Sequence, residues 1–200
     1  MSCSATAVFL DRDGVINRKA PDGRYIATWR EMHFLPGVVT ALSAVRRAGI
    51  EIIVVTNQRG IALGQVRLGD LEELHARMRA HFAQCGVVIA GIYFCPHDIS
   101  EYCFCRKPKP GMLLQAAKDH ALDLRASWMI GDAAGDIEAG RSAGCKTVRI
   151  MPLGPPLRNE VQADSQARDL SSAVRKILQY LRRHNQSATL ELHVKSFPGA

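Results

Sequence analysis

The chain has 200 residues, with 47% hydrophobic residues, 22% charged residues and a formal net charge of +7. This composition excludes an intrinsically disordered chain and is sufficient for the core of one domain. No apolar run approaches the ~20 residues of a membrane-spanning helix, and the first residues lack the basic and apolar regions of a secretory signal. We therefore expect a cytoplasmic protein with no membrane partner, whose positive charge favours an anionic ligand.

Short apolar runs predict five β-strands, near residues 6–11, 50–56, 88–94, 127–131 and 146–151. Amphipathic patterns predict five helices, near residues 36–49, 68–85, 112–120, 134–142 and 168–183. Strands and helices that alternate at this spacing predict an α/β fold, with a parallel sheet flanked by helices. We expect a single domain over residues 1–183, a loop over residues 152–167 and a mobile tail over residues 184–200.

Much of the positive charge lies in the last predicted helix, in Arg168, Arg175, Lys176, Arg182 and Arg183. This segment lacks the interleaved aromatic residues that stack on nucleic-acid bases. We therefore interpret it as a solvated helix face and expect no nucleic-acid partner. Nothing in the sequence requires an oligomer, so a monomer is expected.

The first predicted strand ends in two carboxylates. The apolar run 7–10 is followed by Asp11, Arg12, Asp13 and Gly14. Because side chains alternate along a strand, Asp11 and Asp13 can face the same side at the carboxyl edge of the sheet, where open α/β sheets bind ligands. Carboxylates this close repel each other unless a cation or a proton lies between them. The pair predicts a hard cation such as Mg2+, a shared proton, or both, although Asp-Gly is also common in simple turns.

Later segments place further polar residues near the ends of predicted strands. The run 50–55 ends in Thr56, Lys107 lies in a basic turn, and the run 128–130 is followed by Asp132 and Asp136. These side chains would converge at one edge of a parallel sheet. Asp136 lies one helical turn after Asp132, where it would reach the metal through water, orient Lys107, or simply favour the helix dipole.

Around a phosphate ester, these residues predict hydrolysis through a covalent intermediate. Asp11 would attack phosphorus, and Asp13 would protonate the leaving alkoxide and then activate water. Thr56 and nearby backbone amides would donate to the phosphoryl oxygens, while Lys107 would neutralise the developing charge. Mg2+ would be held by Asp11, Asp132 and the backbone carbonyl of Asp13.

A second cluster predicts a zinc site in a loop over residues 95–105. Cys95, His97, Cys103 and Cys105 form two pairs of potential ligands, each with one residue between its members. Three thiolates and an imidazole suit tetrahedral Zn2+, and four protein ligands close its coordination sphere, so the metal would be structural. It would fix the loop directly before the basic turn. The alternative is a set of unrelated reduced cysteines, as expected in the cytosol.

The motifs behind these predictions resemble those of a known family. Asp11-Arg12-Asp13-Gly14, Thr56-Asn57, Lys107 and Gly131-Asp132 with Asp136 resemble the four motifs of the haloacid dehalogenase superfamily of phosphatases, in the same order. The zinc pattern followed by Arg106 and Lys107 resembles one branch, which contains heptose bisphosphate phosphatases and histidinol-phosphate phosphatases. The resemblance covers about residues 6–150 and implies a Rossmann-like domain without a large cap.

The resemblance also implies substrate contacts. One matching segment contains Asp22, Gly23, Arg24 and Tyr25, and a second contains Asn57, Gln58 and Arg59. Arg106 matches a residue that helps to recognise the distal phosphate, and a guanidinium suits this task because it can form two parallel hydrogen bonds. Two features depart from the heptose enzymes, namely a short gap between His97 and Cys103 and the presence of Arg59 in place of a small residue.

The resemblance favours a Mg2+-dependent phosphatase that removes the C7 phosphate of D-glycero-D-manno-heptose 1,7-bisphosphate during nucleotide-heptose synthesis. The alternative enzyme is a histidinol-phosphate phosphatase, whose amine-bearing substrate would need an acidic partner such as Asp98 or Glu101. A third hypothesis is a zinc-stabilised binding module that has lost catalysis. It is disfavoured because every catalytic position carries a competent residue.

Overall fold

The computed structural model describes residues 5–151 and 162–194, with the backbone alone for residues 185–194. In chain order the elements are β1 (Ala7–Leu10), α1 (Val38–Arg47), β2 (Glu51–Asn57), α2 (Leu68–Gln84), β3 (Gly91–Cys95), α3 (Gly111–Asp119), β4 (Trp128–Gly131), α4 (Ala134–Ala143), β5 (Lys146–Ile150), β6 (Ser165–Ala167) and α5 (Leu170–Val194). Two short 3-10 turns lie at Trp29–Glu31 and Ile99–Glu101. None of the described helices combines the length and the hydropathy that a membrane-spanning segment requires.

The strands form one sheet in the order β3-β2-β1-β4-β5-β6, and all of these neighbours are parallel. β1 lies in the interior, where Leu10 pairs with Val54 of β2 and with Ile130 of β4. In a parallel sheet the carboxyl ends of all strands lie at the same edge. The residues that follow β1, β2 and β4 therefore meet there, and the predicted α/β fold is confirmed.

Alternate side chains of β1 enter two separate apolar cores. Val8 and Leu10 pack in the first core with α1, α2 and α5, whereas Ala7 and Phe9 pack in the second with α3 and α4. All of them are completely buried, because helices cover both faces of a central parallel strand. Within the described ranges, no inserted domain covers the carboxyl edge of the sheet, in agreement with the prediction that a large cap is absent.

Two predicted element boundaries were wrong. β6 lies inside the predicted loop 152–167 and pairs with β5 at the edge of the sheet, but it is too short and polar to be predicted as a strand. Residues 152–161 of that loop lie outside the described residues. α5 continues to Val194 instead of ending near residue 183. Polar residues after 183 obscure the apolar pattern, although no glycine or proline interrupts the helix before Pro198. Of the predicted tail, residues 195–200 also lie outside the described residues.

Candidate active site

Lys107 lies at the centre of the site, between two carboxylates. Its Nζ atom donates to Asp11 Oδ1 at 2.8 Å, to Asp136 Oδ1 at 2.6 Å and to the backbone carbonyl oxygen of Val55 at 2.8 Å. An ammonium group has three N–H bonds, so these contacts use all of them. Lys107 and Asp136 are only 5% and 2% exposed, and solvent therefore screens their charges weakly. The lysine charge is fixed directly beside Asp11.

The electrostatics of Asp11 favour a further cation next to it. Burial raises the pKa of Asp11 to about 7, because it outweighs the opposite effect of the Lys107 charge, and the nearby Asp136 carboxylate raises it as well. A carboxylate must be ionised to act as a nucleophile. A second positive charge beside Asp11 would lower its pKa and increase the ionised fraction at neutral pH.

An all-oxygen donor set lies beside this lysine. Asp11, Asp132 and Asp136 each place a carboxylate oxygen within 4.8 Å of the others. Asp132 follows β4 directly, and its Oδ1 atom is buried without a hydrogen-bond partner among the residues that the structure describes. Its Oδ2 atom lies 2.7 Å from Lys19 Nζ. A buried carboxylate oxygen without a partner is costly unless a cation binds it, and oxygen donors suit a hard cation such as Mg2+.

Asp136 is engaged by two other groups. Its Oδ1 atom accepts from Lys107 Nζ, and its Oδ2 atom accepts from the backbone N–H of Ala133 at 3.0 Å. The second contact satisfies a backbone donor at the start of α4, where a negative charge also favours the helix dipole. Of the alternatives for Asp136, these contacts favour orientation of the lysine together with stabilisation of the helix end.

The Asp13 carboxylate belongs to a separate hydrogen-bond network. It accepts from Arg12 Nη2 at 2.9 Å, from Asn17 Nδ2 at 2.8 Å and from Gln58 Nε2 at 3.1 Å. Arg12 is completely buried, and its Nη1 atom also lies 3.1 Å from His75 Nε2. These contacts hold the carboxylate in one orientation, which suits a residue that acts as general acid and base.

The end of β2 supports both Lys107 and Asp13. Asn57 Oδ1 accepts from the backbone N–H of Lys107 at 3.1 Å, and Asn57 Nδ2 donates to the backbone carbonyl oxygen of Lys107 at 3.0 Å. Gln58 Nε2 contacts Asp13 and also donates to Thr56 Oγ1 at 2.9 Å. Thr56 is 1% exposed. Asn57 therefore positions the turn that carries the lysine, and Gln58 links the threonine to the predicted acid–base residue.

The predicted zinc ligands lie together. The Sγ–Sγ distances are 3.5 Å from Cys95 to Cys103 and 3.4 Å from Cys103 to Cys105, and His97 Nδ1 lies 3.6 Å from Cys95 Sγ and 3.2 Å from Cys105 Sγ. In tetrahedral zinc sites, bonds of about 2.3 Å to sulfur and about 2.1 Å to nitrogen place the ligand atoms roughly 3.6–3.8 Å apart, slightly farther than the four atoms lie here. Burial raises the pKa of Cys105 to about 12, so this thiol would need a bound metal to become a thiolate.

Two predicted substrate contacts point instead to the cysteine loop, residues 95–105. Arg59 Nε pairs with the Asp98 carboxylate, and Arg106 Nη1 donates to the backbone carbonyl oxygen of His97 at 3.4 Å. The Arg59 charge is therefore compensated within the protein, and Arg59 links the end of β2 to this loop.

Residues 22–25 lie in the long loop between β1 and α1. Asp22, Gly23 and Arg24 are exposed, and Tyr25 is partly buried. A Cβ atom at Gly60 would lie 2.7 Å from Tyr25 Cγ, so the tyrosine ring packs directly on the Gly60 backbone. This contact brings the loop beside the segment that follows β2. No hydrogen bond in the described part of the chain joins Asp22 or Arg24 to the carboxylates around the lysine.

Lys19 and His75 were missed by the sequence analysis, although each contacts the site. His75 lies on the buried face of α2 with Leu71, Leu74 and Met78. A polar residue on an apolar helix face was a usable signal, because a buried imidazole needs a partner. Lys19 had no such signal, since it lies in an irregular loop and its partner Asp132 is distant in sequence.

Comparisons with known proteins find the same family along most of the chain. A model of HAD-hydrolase-like proteins matches residues 104–151. A D-glycero-beta-D-manno-heptose-1,7-bisphosphate 7-phosphatase from Pseudomonas aeruginosa is 41% identical over 160 residues, which cover 77% of this chain and 89% of that protein. A protein of the same name from Vibrio cholerae is 39% identical over 184 residues, which cover 88% of this chain and 96% of that protein.

A solved structure agrees with these sequence relatives. The D,D-heptose 1,7-bisphosphate phosphatase from B. bronchiseptica, complexed with magnesium and phosphate, is similar with a TM-score of 0.78 and 30% sequence identity. The match covers 88% of this chain and 99% of that chain. The similarity therefore extends over most of the chain.

Proposed function

Because the chain belongs to the haloacid dehalogenase-like phosphatases, we propose that it removes the C7 phosphate of D-glycero-D-manno-heptose 1,7-bisphosphate in a Mg2+-dependent reaction. It is a phosphoric monoester hydrolase, and the names of its relatives support the heptose substrate. One observation carries the proposal for the mechanism. The buried Lys107 ammonium lies 2.8 Å from Asp11, beside an Asp132 oxygen that has no partner in the described chain.

In the first step, an Asp11 carboxylate oxygen forms a bond to phosphorus as the bond from phosphorus to the sugar oxygen breaks. Asp13 gives its proton to the leaving alkoxide. In the second step, Asp13 takes a proton from water as the water oxygen attacks phosphorus. The bond from phosphorus to Asp11 then breaks, which releases inorganic phosphate and regenerates the carboxylate.

Lys107 and Thr56 serve the transferring phosphoryl group. The lysine provides a fixed positive charge that needs no reorganisation, because Asp136 and the Val55 carbonyl already hold it. Thr56 uses its oxygen to accept from Gln58, so its hydroxyl hydrogen remains available for a phosphoryl oxygen.

The residues that would hold Mg2+ are Asp11, Asp132 and the backbone carbonyl of Asp13. When bound, the cation neutralises charge on the phosphoryl oxygens and keeps the nucleophile ionised. We propose that Asp136 orients Lys107 and does not coordinate the metal directly, because both of its carboxylate oxygens already accept hydrogen bonds.

The cysteine loop would hold structural Zn2+ through Cys95, His97, Cys103 and Cys105. The clustering of these four ligand atoms within 4.8 Å of one another supports this assignment. The turn with Arg106 and Lys107 follows the last ligand directly, so the metal would fix the direction in which both cations point.

For substrate contacts we propose residues 22–25 and 57–59 together with Arg106. Tyr25 packs on Gly60, so the first two segments lie next to each other, which supports a shared role in substrate binding. The distal phosphate is assigned to Arg106, because the Arg59 charge is compensated by Asp98. All of these residues lie within the single domain proposed for residues 1–183, which the length of α5 extends to Val194.

The histidinol-phosphate alternative loses support from the cysteine loop. Asp98 pairs with Arg59, and Glu101 Oε1 accepts from the backbone N–H of Asp98 at 2.6 Å. The Asp98 charge is therefore already compensated by Arg59, which weakens the case for Asp98 as the partner of a substrate amine. No contact among the described residues favours a second function.

The deciding experiment measures phosphate release from the heptose bisphosphate and from histidinol phosphate, with purified protein and Mg2+. We expect kcat/KM for the heptose bisphosphate to be at least about tenfold higher. Asp11→Asn should reduce turnover of both esters by about 10³-fold or more, whereas Asp123→Asn, at an exposed aspartate, should leave turnover unchanged. A preference for histidinol phosphate would overturn the substrate assignment, and turnover that survives Asp11→Asn would overturn the nucleophile.

A further inference from the structure

Lys19 forms an ion pair with a carboxylate of the proposed metal site. Its Nζ atom lies 2.7 Å from Asp132 Oδ2, and its side chain is 54% exposed. The pair depends on a glycine, because a Cβ atom at Gly14 would lie 2.1 Å from Asp132 Oδ2 and 2.6 Å from Lys19 Cε. Gly14 also has φ +96°, a conformation that other residues rarely adopt. The backbone at Gly14 thus makes room for the lysine against Asp132.

The two lysines of the site differ in how fully they are engaged. Lys107 uses all its N–H bonds on Asp11, Asp136 and Val55. Among the residues that the structure describes, the Lys19 ammonium forms an ion pair with Asp132 alone, so two of its N–H bonds remain, and the charges of Asp11 and Asp136 attract it from farther away. A compact ammonium on a flexible four-carbon stem can reorient, in contrast to a buried group with every donor occupied.

Lys19 and a divalent cation would compete for the same carboxylate. The charge of Lys19 lowers the negative potential at Asp132, and two cations close to one carboxylate repel each other. Partial exposure reduces this repulsion without removing it, since the pair lies within one Debye length. Loss of the lysine charge should therefore make Mg2+ binding tighter.

We infer that Lys19 is an exchangeable counter-ion, which balances Asp132 before Mg2+ binds and donates to a substrate phosphate afterwards. This inference rests on the proposed Mg2+-dependent function. It gives Lys19 two opposite effects. The lysine weakens binding of the metal alone, and it strengthens binding of phosphate to the metal-loaded protein, because the released ammonium then faces a doubly charged anion.

The test uses Lys19→Met, which keeps an unbranched side chain and removes the charge. Arg18→Met is the matched control, because Arg18 is exposed and adjacent and its side chain contacts no described residue of the site. Calorimetric titration of Mg2+ without substrate should give about fivefold tighter binding for Lys19→Met. The control should change by less than about twofold. Lys19→Arg should bind Mg2+ like the unchanged protein.

A second titration adds inorganic phosphate to each protein at saturating Mg2+. Lys19→Met should bind phosphate about fivefold more weakly, and Lys19→Arg should restore most of the affinity. Opposite changes in the two titrations cannot come from a general loss of structure. If Lys19→Met leaves Mg2+ affinity unchanged or weakens it, or leaves phosphate affinity unchanged, the inference is overturned while the proposed function stands. If the unchanged protein binds no Mg2+, the proposed function itself fails.

Discussion

Arg12 and His75 form a buried pair that connects α2 to the predicted acid–base residue. Arg12 Nη1 lies 3.1 Å from His75 Nε2, while Arg12 Nη2 donates to Asp13 Oδ2 at 2.9 Å. A guanidinium has donors only, so His75 Nε2 must accept and the imidazole must be neutral. Protonation of His75 would place two positive groups in contact inside the protein.

This pair predicts a specific pH dependence of stability. Burial, together with the Arg12 charge, lowers the pKa of His75 to about 3, whereas the unfolded chain has a histidine pKa of about 6.5. Between these values the unfolded state binds more protons, so the contribution of His75 is complete above pH ~6.5 and decreases as pH falls. His75→Gln keeps an acceptor that does not titrate. From pH 8 to pH 5, the unchanged protein should lose about 2 kcal/mol more free energy of unfolding than this variant.

Urea unfolding at both pH values measures this difference. Other groups titrate in the same range, but they are shared by both proteins and cancel in the comparison. Equal losses in the two proteins would show that His75 is not held neutral by Arg12.

Removal of one cysteine ligand should affect both stability and catalysis. Cys105→Ser should reduce the zinc content, lower the melting temperature and decrease kcat/KM, because the Lys107 turn begins directly after this residue. Cys85→Ser is the matched control, since Cys85 is an exposed thiol outside the cluster. Elemental analysis and thermal unfolding on the same samples provide the measurement. A protein without zinc that melts at the same temperature would contradict the structural role.

Substitutions of Asn57 can distinguish two roles of this residue, namely positioning of Lys107 and direct contact with the substrate. Asn57→Ala removes two hydrogen bonds to the Lys107 backbone and should cost about 1–3 kcal/mol of stability. If Asn57 acts through Lys107, kcat should fall by about 10-fold or more with little change in KM. Asn57→Asp keeps the acceptor for the Lys107 N–H and should lose less. A raised KM at constant kcat would instead support the substrate contact that the family resemblance implies.

Gly131 is expected to tolerate no side chain. It is the last residue of β4, and a Cβ atom there would lie 2.1 Å from Asp136 Cβ. Gly131→Ala must therefore move Asp136 away from Lys107, and we expect a loss of roughly 2 kcal/mol or more in stability together with most of the activity. Gly69→Ala is the control, because nothing lies within 4 Å of its Cβ position in α2. It should stabilise the helix by about 0.5–1 kcal/mol. Equal stability of the two variants would contradict the close packing at β4.

The sequence predicted the parts of the site that depend on strand ends. Asp11, Thr56 and Asp132 directly follow or end apolar runs, and the sheet brings them together as expected from parallel strands. The cluster of Cys95, His97, Cys103 and Cys105 was also predicted, because the spacing of these residues is local. The strand-end residues could be predicted from the general topology of parallel sheets, and the cysteine cluster from its short-range spacing.

Contacts between irregular segments could not be predicted in this way. The pairs Lys19–Asp132 and Arg59–Asp98 join loops whose paths are determined by tertiary packing, and neither residue type nor spacing distinguishes them from solvated charges. β6 was missed because its three residues pair at the sheet edge without an apolar pattern. The long extension of α5 could not be predicted, because the polar residues after 183 resemble the end of a helix.

Leu10 pairs in register with Val54 and Ile130 on the two neighbouring strands. This register also limits which parts of such an enzyme can change when its substrate changes. An insertion of one residue in any of these strands would turn its terminal side chain to the other face and dismantle the hydrolytic centre. The loops that hold Tyr25 and Asp98 carry no such constraint, so their length can vary without moving Asp11. Changes in these two loops can therefore alter substrate specificity, while the residues at the strand ends keep their positions.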